Sequence, residues 1–132
     1  MNLYKVMEPI NIFERFKKIN ELFSPKVIAE VNDIYVKLAV IKGNQVPWHN
    51  HKDEDELFCV ISGSLLFEEE TSSSGKESFT MNEGDVYVVK RGIDHRVSSE
   101  KECKILLIEN KTTAHTGDIK SDITKSIDQQ LQ

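Results

Sequence analysis

The sequence is 132 residues long, which at about 100 to 200 residues per domain makes one domain and excludes a two-domain enzyme. Seventeen Lys and Arg against 22 Asp and Glu leave a net charge of −5, so there is no basic excess to neutralise phosphates, and nucleic acid is not an expected partner. A hydrophobic share of 39% is enough for a core, and no apolar run approaches the roughly 20 residues of a membrane helix, so no membrane partner is expected either.

Met1 to Glu8 carries no apolar segment of the secretory type, and the cytoplasm is the expected compartment. Asn11 followed by Glu14 resembles a capping box behind Pro9. Ile12, Phe13, Phe16, Ile19 and Phe23 then recur at helical spacing, which predicts a helix with one apolar face that Ser24-Pro25 ends. From Val31 the period becomes two. Ile34, Val36, Leu38 and Val40 alternate with Tyr35, Lys37, Ala39 and Ile41, which predicts a strand covered on both sides. Further strands are expected over 46–51, 56–61, 65–70, 77–81, 85–90, 95–98 and 103–109, separated by Gly, Asn and Ser turn signals. About eight short strands without intervening helices predict an all-β sandwich or barrel. Cys59 and Cys103 lie 44 residues apart in apolar strand-like runs and read as reduced core thiols.

The tail, 111–132, holds five apolar residues in 22: Ala114, Ile119, Ile123, Ile127 and Leu131. The last four recur every fourth position, so the segment is either a short helix docking an apolar stripe on the barrel or a partner, or a solvated terminus.

Chemistry concentrates in two segments. His49 and His51 stand two apart, so on a strand both imidazoles face one point, whereas on a helix they would diverge by about 200°. A strand-borne carboxylate would complete a nitrogen and oxygen donor set. Glu56 opens the next strand and is the first choice; Glu54 shares its parity but falls in the turn. Asp53, Glu54 and Asp55, like Glu68 to Glu70, otherwise read as solvated acidic runs, and His115 as an exposed tail residue. Trp48 is out of phase with His49 and should pack elsewhere, for instance at a dimer contact. Phe58 and Val60 share the parity of Glu56, and Val97 that of His95, which makes these three the candidate apolar lining of a substrate pocket, with core filling as the alternative. Tyr87 and Arg96 could reach a substrate, but no feature of the sequence orients them.

The pattern Gly43-x5-His49-x-His51-x4-Glu56-x6-Gly63 resembles the first signature motif of the cupin superfamily at every position. The second segment, Gly84-x5-Lys90-Arg91-Gly92-x2-His95-x3-Ser99, is similar to the second motif, with Lys90 in place of the usual Pro and Ser99 in place of the usual Asn. A spacer of 20 residues, Ser64 to Glu83, separates them. The resemblance covers about 31–110, leaving 1–30 as helix and lead-in and 111–132 as tail. It implies a double-stranded β-helix, or jelly-roll, barrel, often a homodimer, with one divalent transition metal held by His49, His51, Glu56 and His95.

Three imidazoles and a carboxylate leave two positions open on an octahedral ion. The expectation is a small metalloenzyme using Fe, Mn, Ni or Zn on a small oxygen-rich substrate, as a dioxygenase or a metal-assisted isomerase or lyase. A non-catalytic sensor or small-ligand module is the alternative. A structural staple fits less well, because structural sites are normally closed.

Overall fold

A computed structural model describes residues 8–73, 75–114, 116–117 and 124–131. The order of elements is α1 (Ile12–Phe16), β1 (Lys26–Val31), β2 (Ile34–Gly43), β3 (Glu56–Ser62), β4 (Leu65–Thr71), β5 (Gly75–Met81), β6 (Val86–Val89), β7 (Asp94–Asn110) and α2 (Ile127–Gln130). No helix among the described residues is long and apolar enough to cross a membrane.

Asn11 caps α1 by accepting the Glu14 backbone N–H at 3.1 Å, but the Glu14 carboxylate pairs with Lys17 at 2.9 Å and does not reach back. The helix is much shorter than its apolar spacing predicts. Phe16 and Ile19 pack on Leu38 and Val40, on the outer face of β2, whereas Phe23 belongs to the cluster inside the barrel. One straight helix cannot serve both faces of a strand, so the chain leaves α1 after Phe16 and enters the left-handed region at Phe23 (φ 57°). Phe13, expected on the apolar face, is 61% exposed.

All strands are antiparallel. One sheet runs β1-β2-β7-β3-β6; the other joins the first part of β7 to β4 and β4 to β5. The alternation from Val31 does not announce β1, whose first three residues are half-buried and last three exposed, and which pairs Lys26 with Leu38 at the sheet edge. The two strands expected over 95–98 and 103–109 are one, because β7 runs straight through the polar stretch Ser99 to Glu102 and changes sheets there, pairing first with β4 and then with β2 and β3. A single strand shared by two sheets closes the jelly roll. Its interior is filled by Val60, Leu65, Phe67, Met81, Val97, Cys103 and Ile105, each at most 5% exposed. Both cysteines are free thiols; Cys103 is buried and Cys59 half-buried.

The strand expected over 46–51 does not form. Pro47 lacks the N–H that a ladder requires, and only His49 makes a bridge, to His95, through two backbone hydrogen bonds of 3.0 and 2.9 Å.

Candidate metal centre

That bridge is what brings the histidines together. His95 sits near the start of β7, His49 is paired to it through backbone, and the Gly92 N–H donates to His51 O at 2.8 Å. The two imidazoles converge although no strand carries them, because backbone hydrogen bonds tie His49 to His95 and His51 to Gly92. Gly92 makes the turn that presents His95: the Ile93 N–H returns to Lys90 O at 3.2 Å with Gly92 at φ 78°, the third position of a type II turn. Lys90, in place of the proline expected there, pairs at 3.3 Å with Asp55, whose carboxylate also accepts the Arg91 N–H at 2.9 Å. These two contacts lash the 52–55 loop to the turn, and the Arg91 hydrogen bond holds the Asp55 carboxyl below its ordinary range.

His49, His51 and His95 are 5%, 4% and 1% exposed. One ring nitrogen from each lies within 4.8 Å of the others. His49 Nδ1 is 2.8 Å from Pro47 O and His95 Nδ1 is 2.9 Å from Ile93 O. A carbonyl can only accept, so each Nδ1 carries the proton and each Nε2 turns a lone pair inward. His51 Nε2 and His95 Nε2 are buried with no hydrogen-bond partner among the described residues. Two buried ring nitrogens without partners beside a third imidazole are costly unless a cation receives them. The donor set suits a divalent transition metal.

Glu56, 3% exposed at the start of β3, places Oε1 3.4 Å from His51 Nε2 and 3.6 Å from His95 Nε2. Burial acts to raise its pKa but is outweighed by its contacts with Glu109, His51 and His95, which hold the carboxyl well below the usual range. Burial, followed by the neighbouring charge of His95, lowers His49 to about 4. His49 is therefore held neutral and Glu56 ionised, protonation states that metal ligation needs.

Behind Glu56 lies a pair that the strand periodicity did not single out. Glu109 is the cross-strand neighbour of Glu56, and its Oε1 meets Lys37 Nζ at 2.5 Å with both side chains fully buried. Burial, then the charge of Glu56, pushes Glu109 well above the usual carboxylate range. The signal was available. Lys37 shares the parity of Tyr35, Ala39 and Ile41, and Glu109 that of Cys103, Ile105 and Leu107, so each is a lone charge on an inward-facing apolar row.

The cavity at the centre is lined by His49, Glu56 and His95 together with Phe58, Val97 and Leu107, and by Thr116 from the tail. Of the three residues expected to line it, Phe58 and Val97 do; Val60 is fully buried in the core and is not part of the wall. Thr116 is a third residue that sequence reasoning missed, since tail composition carries no hint of it. Glu54 accepts from Thr112 Oγ1 at 3.1 Å on the surface and does not enter the cluster. Tyr87 donates to Glu69 at 2.5 Å, its hydroxyl pushed up to about 12 by burial and by that bond, and Arg96 pairs with Glu68 at 3.0 Å while lying 4.7 Å over the Trp48 ring. None of these three is among the cavity-lining residues. His115 lies outside the described residues.

The chain matches the family model described as Cupin domain over residues 37–109. It is 34% identical to the YdbB protein of Bacillus subtilis over 101 residues, covering 76% of this chain and 85% of that one. It is also similar to a crystal structure of a cupin-2 domain containing protein from Shewanella frigidimarina, with 36% identity, a TM-score of 0.71, and coverage of 77% of this chain and 94% of the other. A third similarity, 28% identity over 99 residues, is to the putative dioxygenase SSO1533 of Saccharolobus solfataricus; it covers 74% of this chain but 24% of that longer protein.

Proposed function

The chain belongs to the cupin family, and we propose on that footing that His49, His51, His95 and Glu56 hold one divalent transition metal, Fe, Mn, Ni or Zn, in a small enzyme acting on a small oxygen-rich substrate. The observation that carries this reading is the convergence of three buried imidazoles, two with unpartnered Nε2 atoms, on one point beside an ionised carboxylate. The similarity to a putative dioxygenase favours oxygen chemistry, with metal-assisted isomerisation or lyase chemistry as the other outcome.

When bound, such an ion supplies Lewis acidity and open coordination positions. The chain's own residues do the rest. The Pro47 and Ile93 carbonyls fix the tautomers of His49 and His95 and so aim their Nε2 lone pairs. Glu56 contributes a negative charge that offsets that of a cation. Phe58, Val97 and Leu107 keep one wall of the cavity dry, which strengthens every polar contact made within it. Neither Lys nor Arg is among the described residues that line the cavity, so a phosphorylated sugar would find no cationic side chain there to hold its phosphate. The same reading places the protein in the cytoplasm as a homodimer, with Val86 and Val88 on the edge strand β6, 57% and 38% exposed, as apolar surface available for pairing.

Elemental analysis of untagged protein tests the reading. Close to one metal per chain is expected, falling in His49→Ala, His51→Ala, His95→Ala and Glu56→Ala but not in Glu54→Ala. Full metal content in all three histidine variants, measured by native mass spectrometry, would sink it. Metal-loaded protein offered diols, keto acids and thiols should turn over at least one; stoichiometric ligand binding without product would instead favour the sensor.

A further inference from the structure

We infer that Glu109, Lys37 and Gln130 form a buried chain that positions Glu56, so that the docked C-terminal helix is a working part of the metal centre; this rests on the metal-binding reading above. Glu109 stands opposite Glu56 in the β3–β7 register, and the two are 2% and 3% exposed. Lys37 reaches Glu109 at 2.5 Å from β2 on the other side of β7. A buried ammonium has three N–H donors and tolerates little without acceptors for them. The second acceptor is the side-chain carbonyl of Gln130, in a short contact with Lys37 Nζ.

Gln130 is an unexpected residue to find there. The fourfold spacing of Ile119, Ile123, Ile127 and Leu131 predicts that a tail helix would dock through an apolar stripe. In α2, Ile127 and Leu131 are 37% and 47% exposed while Gln130 is 2% exposed; Ile119 and Ile123 lie outside the described residues. Everything local to α2 serves the glutamine. Ser126 and Gln129 form a reciprocal capping box, Lys26 Nζ donates to Gln129 O at 3.4 Å, and the Gln130 amide nitrogen donates to Lys125 O at 3.0 Å, which turns its oxygen toward Lys37. The tail therefore docks through a buried polar contact that leads, through Lys37, to Glu109, the cross-strand neighbour of Glu56.

Stability alone does not account for this arrangement. Replacing a buried ion pair by apolar groups of similar volume is often neutral or stabilising. The pair does have a use where it is. A carboxylate facing two imidazoles at 3.4 and 3.6 Å needs its own orientation fixed from behind, and Glu109 is the side chain in place to do so. Glu109 and Lys37 are positioning residues in this scheme, and Gln130 supplies the second acceptor of the lysine.

The test is competition between the full-length protein and a chromophoric chelator for Zn(II) or Co(II) at neutral pH, with circular dichroism and apoprotein melting measured in parallel. Lys37→Met combined with Glu109→Leu should keep the fold and the apoprotein melting temperature while lowering metal affinity about 10- to 100-fold, the loss usual when the support of a ligand is removed. Gln130→Leu alone should weaken metal binding in the same direction, and Gln130→Leu added to the double variant should cost nothing further. A folded double variant that binds metal within twofold of wild type would overturn the inference while leaving the metal site standing. Should the double variant fail to fold, Gln130→Leu decides: unchanged affinity there overturns it equally. Wild-type protein that takes up neither ion overturns both readings.

Discussion

The inside of this barrel has two regions that obey different rules. Toward one end Val60, Leu65, Phe67, Met81, Cys103 and Ile105 fill the space between the sheets with apolar atoms alone. Toward the other, the same strands bury Lys37, Glu56, Glu109 and His95, with His49 and His51 brought in by the loop between β2 and β3. β7 contributes to both: Cys103, Ile105 and Leu107 belong to the apolar row, and Glu109, two residues on, belongs to the charged one. Burial of the first set stabilises the fold at any pH at which the protein is folded. Burial of the second costs free energy that only partners, protons or a cation can offset. A fold that needed only to be stable would not contain it.

The sharpest way to break this comparison is to injure the apolar region. Phe67 is fully buried, with ring contacts to Phe58, Phe79, Tyr87 and His95 at 5.0 to 5.8 Å between centroids. Phe67→Ala should cost about 3–5 kcal/mol in denaturant unfolding, a large part of the 5–15 kcal/mol that typical domains possess. That cost should be the same at pH 5 and pH 7. A cost that varied with pH would mean that the two regions are not separable.

Acid should injure the other region. In the unfolded chain His49 takes a proton near pH 6.5; in the folded apoprotein it does so only near 4. Between those values the unfolded state holds the extra proton, so stability falls as pH falls, by about 3 kcal/mol across the window. Glu56 acts in the same direction at lower pH: its folded value is depressed, so the stability it contributes is present above its ordinary range and is lost as pH drops through the folded one. A bound metal at a hundredfold excess over its dissociation constant adds about 2.7 kcal/mol at neutral pH. Melting curves of the metal-loaded and metal-free protein should therefore separate near pH 7 and converge between roughly pH 6 and 4. Equal melting temperatures at pH 7 under saturating metal would mean that no cation offsets the cost of burying these charges, and His49→Asn should flatten the apoprotein slope.

The two regions were also unequally legible in the sequence. The apolar rows of β2, β3 and β7 follow from alternation, which is a direct image of a strand with a buried face. His49, His51, Glu56 and His95 were found because their spacing repeats a known motif, although the local argument placed the first two on a strand that Pro47 prevents. What holds the site was not found. Lys37 and Glu109 sit at inward positions where a charge is improbable on composition alone, and their pairing is a contact between distant strands that no local pattern encodes. Gln130 is further still, 93 residues from Lys37, and its burial contradicts the apolar periodicity of its own segment. Periodicity reports what solvent excludes; it is silent on which polar groups are buried together.

The smallest expected effect concerns the seam between the regions, where the loop carrying His49 meets the second sheet. Arg96 stacks over Trp48 at 4.7 Å and forks onto Glu68 through Nε at 3.0 Å and Nη2 at 3.2 Å, so it fastens the residue before His49 to β4. Its side chain is 42% exposed, which discounts the ion pair and leaves the cation–π contact, about 0.5–1 kcal/mol, as the larger part. Arg96→Ala should therefore cost about 1 kcal/mol at most and change the fluorescence of Trp48, the sole tryptophan. Metal affinity should drop by less than tenfold, because His49 keeps its two backbone hydrogen bonds to His95 when Arg96 is truncated. A loss as large as that of a ligand histidine would show that the loop is positioned from outside the barrel, through Trp48, and that the buried charges are not sufficient to assemble the site.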